Sequence, residues 1–131
     1  MHKSRLGAIV IDCQATPLDD AAAFWEAALG RTADVPRNPD DARKYRGLEG
    51  PGSEPKVLLQ SVEHQSRVHI DIETDDIDAE VRRLEQLGAK RVAFVKSWWV
   101  MEAPTGHRFC VVAPTRPDFE AGANVWDATE G

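Results

Sequence analysis

Apolar and polar residues along this chain follow two rhythms, one alternating strand-like and one helix-like, and the same succession of rhythms occurs twice. In the first half, residues 6–12 form an apolar, β-branched run that ends at Asp12 and predicts a strand. Pro17-Leu18-Asp19-Asp20 predicts a turn and an acidic N-cap at the positive end of a helix dipole. Residues 21–29 then predict an alanine-rich helix, with Phe24, Ala28 and the neighbourhood of Leu29 on its inward face and Gly30 as its stop. Residues 32–35 read as a second strand, and 36–41 as a Pro/Asn/Asp connection with the character of a mobile loop. A weak third strand over 43–48 and the turn Gly50-Pro51-Gly52-Ser53-Glu54-Pro55 lead into a strand over 56–62.

The second half repeats this order more cleanly. Residues 67–73 predict a strand, and Asp75-Asp76 predict the cap of a helix over 77–87. Ile77, Val81, Leu84 and Leu87 give that helix an apolar stripe. Strands are expected over 90–95, 98–102 and 108–112, the last two joined by Ala103-Pro104-Thr105-Gly106-His107. Each half is thus a strand ending in Asp, an acidic loop, a helix ending in Leu-Gly, and three further strands. A repeat of this size marks two copies of one supersecondary unit. The fold class is therefore α+β: two βαβββ modules, at about 6–62 and 67–113, forming a curved mixed sheet with helices on the convex face and an open concave cup. The tail over 114–131 has no periodicity, which leaves open a wrap over the body or disorder, and Trp126 favours the wrap.

Composition adds exclusions. The chain has 131 residues, is 42% hydrophobic and carries a net charge of −6, enough for one folded domain. It has no basic stripe with interleaved aromatics, so nucleic acid is not the expected partner. No apolar run approaches the ~20 residues that span a bilayer, and no secretory signal pattern is evident, so no membrane association and a cytoplasmic location are expected. Cys13 and Cys110 both lie on predicted strands among apolar residues and read as buried thiols rather than a disulfide.

Several strings resemble the vicinal oxygen chelate superfamily of glyoxalase I, bleomycin-resistance proteins and extradiol dioxygenases, and its small glyoxalase-like branch in particular. They are Leu6-Gly7-Ala8-Ile9-Val10-Ile11-Asp12, Ala23-Phe24-Trp25 with Leu29-Gly30, Val68-His69-Ile70-Asp71-Ile72, Leu87-Gly88-Ala89, and the stretch from Trp99 to Val112. The last string is similar to the family's W-V-M-x-D-P-x-G-N-x-F-C signature, with Ala103 in place of the Asp and His107 in place of the Asn. The resemblance implies a small-molecule ligand in the cup. It also implies pairing of modules within the chain or across a homodimer, and a homodimer is expected for a chain this short.

The resemblance further implies a divalent metal held by His, His/Gln and Glu. His69 occupies one such position. Alternation places His69, Asp71 and Glu73 on one strand face, toward the cup, and Val68, Ile70 and Ile72 on the other, toward the helix. The first-module counterpart is Val10 or Ile11, neither of which binds metal. Cys110 stands where the family's Glu falls, and Gln60 stands on the corresponding strand of the first module. One imidazole, one amide and one thiol are a poor match to the usual triad, and a thiolate selects a softer metal. His69 then reads as a cup-lining residue paired with Gln60 or Asp71. Trp98 and Trp99 must face opposite ways on a strand, so one ring is expected to enter the core or cup and the other to cover an edge or a partner, and one of them suits stacking on a planar ligand.

Three readings follow. The preferred one is a protein that binds a planar or aromatic small molecule with no cofactor, using His69, Gln60, Asp71, Trp98, Trp99 and Cys110. The second is a lyase, isomerase or dioxygenase-like enzyme using iron, manganese, nickel or zinc on His69, Gln60 and an unorthodox third ligand. The third is a regulatory or accessory module without catalysis of its own.

Overall fold

The computed structural model describes residues 1–127. These form nine strands and four helices: β1 (His2–Cys13), α1 (Asp19–Leu29), β2 (Ala33–Asp34), α2 (Pro39–Lys44), β3 (Tyr45–Leu48), β4 (Lys56–Ser61), β5 (Arg67–Thr74), α3 (Ile77–Gln86), β6 (Lys90–Val95), β7 (Trp98–Glu102), β8 (Arg108–Val112), α4 (Phe119–Gly122) and β9 (Asn124–Trp126). The chain gathers into two compact units. One is Ala8–Val68; the other joins Met1–Gly7 to the chain from His69 onward. No helix among the described residues is long and apolar enough to cross a membrane.

In the Ala8–Val68 unit the strands lie in the order β2, β3, β4, β1. β4 runs parallel to β1, and β3 and β2 follow antiparallel. A parallel return requires a crossover, which α1 begins. The helix packs through Leu18, Ala22 and Trp25, at i, i+4 and i+7, against Cys13, Leu48 and Leu59. This corrects the expected inward face: Phe24, Ala28 and Leu29 are exposed, and Phe24 meets only the edge of the Trp25 ring, 5.1 Å between centroids. Leu18, expected as a turn residue, is fully buried and stands at the N-cap position. Gly30 does close the helix, at φ 65°.

The connection over 36–41 is also corrected, because it opens α2. The Asn38 side chain accepts hydrogen bonds from the amides of Asp40 (2.8 Å) and Asp41 (3.3 Å), and Pro39 supplies a pre-set first turn. The helix takes up Arg43 and Lys44, so the following strand begins at Tyr45.

The second unit repeats the topology, with strand order β6, β7, β8, β5 and β8 parallel to β5. The Asp76 carboxylate caps α3 by accepting from the Ala79 amide at 3.0 Å. Val81 and Leu84 pack on Met101, Phe109 and Val111, with Ile72, Ile77 and Trp99 around them. Leu87, the fourth member of the expected stripe, is 66% exposed. At 3.6 residues per turn it has rotated roughly 80° from Ile77, and the helix has already ended at Gln86.

The tail wraps this unit as far as Asp127; its last four residues lie outside the described range. β9 pairs antiparallel with the start of β1, setting Trp126 opposite His2. The Trp126 Nε1 donates to Ser4 Oγ at 2.8 Å, and the Arg83 guanidinium lies 3.9 Å from the centre of the Trp126 ring. His2 Nε2 and Glu80 Oε1 are 2.8 Å apart, both residues fully enclosed, and Arg83 donates to both oxygens of Glu80.

A second buried carboxylate fixes the other end of the tail. Glu73 Oε1 accepts from the Thr115 amide (2.7 Å), the Thr115 hydroxyl (3.2 Å) and the Arg116 amide (3.3 Å). Its Oε2 accepts from Arg5 Nε at 2.6 Å. Arg116 Nε lies 3.4 Å from the same oxygen, an ion-pair contact without hydrogen-bond geometry, while its terminal nitrogen donates to the Leu6 carbonyl. Gly7 is required here, since a Cβ at that position would fall 2.9 Å from the Glu73 Cβ.

Burial by itself would raise the Glu73 carboxyl above its ordinary value. The Thr115 amide and the Arg5 guanidinium reverse this and hold it below. Glu80 is lowered in the same way, its desolvation outweighed by Arg83, His2 and Ser4. A depressed carboxyl contributes stability that is fully present above its unfolded value, about 4.3, and is lost as pH falls through the folded value. Unfolding free energy measured by denaturant should therefore hold level on account of these groups above about pH 5 and drop below about pH 4. Glu73→Gln should cost about 3–5 kcal/mol at neutral pH and flatten that acid limb. Leu84→Ala should cost about 2–5 kcal/mol, whereas Leu87→Ala should stay within about 0.5 kcal/mol. Equal costs at the two leucines would mean the helix face is misassigned.

Candidate functional site

Pairing register decides which side chains share a face. Across the parallel β5–β8 ladder Asp71 stands opposite Cys110, and across the antiparallel β8–β7 ladder Cys110 stands opposite Val100. Side chains directly opposite one another project to the same side, and residues two apart along a strand do so too. Asp71, Cys110 and Val100 therefore define a face that also carries His69, two residues before Asp71, and Trp98, two residues before Val100. The opposite face carries Ile72, Val111, Trp99 and Met101, which meet α3.

On the first face three donors converge. The His69 imidazole, the Asp71 carboxylate and the Cys110 sulfur each offer one atom, and these atoms all lie within 4.8 Å of one another. His69 Nε2 is 3.5 Å from Asp71 Oδ1, within ion-pair reach but long for a hydrogen bond. The same Oδ1 is buried and has no hydrogen-bond partner among the described residues. An enclosed acceptor left open in this way is uncommon, because it costs about 1–3 kcal/mol.

Both tryptophans flank this arrangement, on opposite sides of the strand. Trp99 packs against the Val81–Leu84–Met101 cluster, its ring meeting Phe94 at 5.3 Å and Arg91 at 5.1 Å. Trp98 lies on the donor face and pairs with Val95 on β6. Gln60 belongs to the other unit, on β4, opposite Asp12 on β1 and Tyr45 on β3. Within the repeat, the Asp12–Gln60 pair of β1 and β4 corresponds to the Asp71–Cys110 pair of β5 and β8. That correspondence settles the counterpart of His69 as Val10 rather than Ile11. Asp12 is buried and lies 3.6 Å from Arg67 Nε.

From sequence, the preferred reading had no metal, and the alternative set a metal on His69, Gln60 and an unorthodox third ligand. The structure gathers His69 with Asp71 and Cys110 inside one unit. The alternation that puts His69 and Asp71 on one face was legible; the register that sets Cys110 beside Asp71 was not. The two cysteines are both free but differ in setting. Cys13 is buried and donates to the Ile11 carbonyl at 3.4 Å; burial, then the charge of Asp12, pushes its thiol up. Cys110 is half-buried.

The donor set can be tested against the divalent metal that the resemblance implies. An imidazole, a carboxylate and a sulfur within 4.8 Å supply three ligands of types that borderline-soft ions accept, and Asp71 Oδ1 makes no hydrogen bond among the described residues. The residues fit such an ion.

A family model described as a glyoxalase-like domain matches residues 8–112. Among solved structures, a hypothetical protein, BH1468 from Bacillus halodurans C-125, superposes with a TM-score of 0.61 at 15% identity, covering 86% of this chain and 96% of that one. Methylmalonyl-CoA epimerase from Mycobacterium tuberculosis superposes at 0.55 with 20% identity, covering 89% and 91%. The Streptomyces coelicolor methylmalonyl-CoA epimerase (S115T), in complex with 2-nitronate-propionyl-CoA, gives 0.54 at 16%, covering 83% and 94%. At these identities the likenesses establish a shared fold and nothing of activity. No curated protein matches the chain in sequence. The doubled strand–helix–three-strand layout and the family match over most of the length together place this chain in the glyoxalase-like domain family.

Proposed function

We propose that this protein binds a small planar or aromatic molecule on the face shared by β5, β8 and β7. The observation that carries the proposal is the buried Asp71 Oδ1, which makes no hydrogen bond among the described residues and lies 3.5 Å from His69 Nε2, beside half-buried Cys110 on the face that also carries Trp98. A buried acceptor held open by rigid strands suits a donor group on an incoming ligand, since the desolvation cost is already met by the fold. Trp98 offers a ring face to the planar part of that ligand, while Trp99 braces the strand from behind. His69, 3.5 Å from Asp71, can donate or accept at the ligand's polar edge.

A second reading is favoured by one further observation, the convergence of three donor types within 4.8 Å. Here the protein is a metal-dependent lyase, isomerase or dioxygenase. The bound ion supplies Lewis acidity toward a substrate oxygen. His69, Asp71 and Cys110 hold the ion, and the remaining face positions the substrate.

Two measurements separate the readings. Titration with aromatic amines and phenols, followed by calorimetry, should give a saturable heat that Trp98→Ala weakens by about 2–10-fold, the worth of one ring contact. His69→Ala should weaken binding while changing unfolding free energy by less than about 1 kcal/mol, as expected away from the core. A Trp98→Ala protein that binds as well as the parent would sink the first reading. Stoichiometric metal in protein purified without a chelating tag, lost in His69→Ala, would establish the second.

A further inference from the structure

The His69–Asp71–Cys110 cluster brings an imidazole, a carboxylate and a sulfur within 4.8 Å of one another. Sulfur is a useful nucleophile or ligand only as the thiolate, and a thiolate needs positive charge close by. The two donors grouped with Cys110 are the Asp71 carboxylate and the His69 imidazole. As a cation site the cluster is well made, because a divalent ion neutralises the carboxylate and the thiolate together while a neutral imidazole completes the set.

We infer that this cluster takes a borderline-soft divalent cation, zinc or cobalt in preference to manganese or magnesium, with Cys110 bound as a thiolate. The inference rests on the second reading above and adds to it the class of the ion and the sulfur ligand. Hard ions prefer all-oxygen surroundings, whereas sulfur ligation draws the choice toward zinc and its neighbours. Zinc bonds of about 2.3 Å to sulfur and about 2.0–2.2 Å to nitrogen and oxygen set tetrahedral ligands roughly 3.4–3.6 Å apart. Donor atoms spread by up to 4.8 Å close to that geometry with about 1 Å of side-chain movement. Asp71 and Cys110 sit opposite each other on paired strands, so the backbone already holds two of the three in place. Three protein ligands leave a fourth position for a water or substrate oxygen, the pattern of reactive rather than structural zinc sites. As the sulfur–metal bond forms, the sulfur–hydrogen proton passes to solvent. All three donors belong to one compact unit.

The test uses the full chain purified without a chelating tag, dialysed against chelator, and titrated with cobalt(II) alone. The expected result is one equivalent bound, with a sulfur-to-cobalt charge-transfer band in the near ultraviolet that one equivalent of zinc abolishes and a hundredfold excess of magnesium does not. The band should vanish in Cys110→Ser and persist in Cys13→Ser. Asp71→Asn should weaken cobalt binding by more than about 100-fold, the upper end of what loss of an outer-shell partner costs. Thiol alkylation of the unaltered protein gives an independent readout: zinc should protect Cys110 while Cys13, buried in the core, stays unreactive with or without metal. Cobalt bound without the band, a band that survives Cys110→Ser, or manganese displacing cobalt as readily as zinc would overturn the thiolate assignment while leaving the metal reading intact. No metal bound at all would overturn both, and the calorimetric ligand titration would still decide the first reading on its own.

Discussion

Glu73 is an anion shut away from solvent, and the unit that contains it is arranged around keeping that anion satisfied. Removing a carboxylate from water costs several kcal/mol unless cations and donors replace the lost hydration. Here the replacements come from distant stretches of chain: Arg5 on the first strand, and Thr115 and Arg116 on the tail. Each is held because the charge requires it. Gly7 must lack a side chain to let β1 pass over the carboxylate. The carboxylate thus joins the start of the chain, the strand that bears the candidate site, and the tail, which no apolar pattern would have docked.

That arrangement has a consequence for the site two and four residues earlier. Glu73, Asp71 and His69 share one face of β5, but their settings differ. Glu73 has a full set of partners, whereas Asp71 keeps a buried oxygen without a hydrogen bond. A protein that satisfies one buried carboxylate so completely has the means to satisfy its neighbour. The contrast along a single strand is the observation on which the proposed ligand or ion at Asp71 rests. A strand anchored at one end by ionic contacts also holds its free acceptor still, and pre-ordering of this kind lowers the cost of binding.

The internal repeat shows how the two units diverged on one scaffold. Parallel pairing of first and last strands sets Asp12 opposite Gln60 in one unit and Asp71 opposite Cys110 in the other. In the first, Val10 replaces the histidine, and Asp12 is buried within reach of Arg67. In the second, the histidine is present. The same register thus sets an Asp beside Gln60 in one copy and an Asp beside Cys110, within a convergent donor set, in the other. Fold and site chemistry are separable in this way throughout such architectures.

The sequence by itself determined the element order. Two periods, two Leu-Gly stops and an Asp at the end of each first strand gave the doubled βαβββ layout, because local periodicity and capping are properties of short stretches of chain. The strands of the second half match their expected bounds almost residue for residue, and alternation alone sent Trp98 and Trp99 to opposite faces. Even α2, read as a loop, carried its signal in Asn38-Pro39. Only the tertiary structure decided the rest. Which face of α1 turns inward depended on Leu18, a residue before the helix. The wrap of the tail depended on a buried carboxylate, Glu73, held by Thr115 and Arg116 from 42 and 43 residues away in sequence, and on the Trp126 contact with Ser4, 122 residues away. The grouping of Cys110 with Asp71 and His69 depended on the register of a parallel pair, which is set by the packing of the crossover between the strands and written in neither strand.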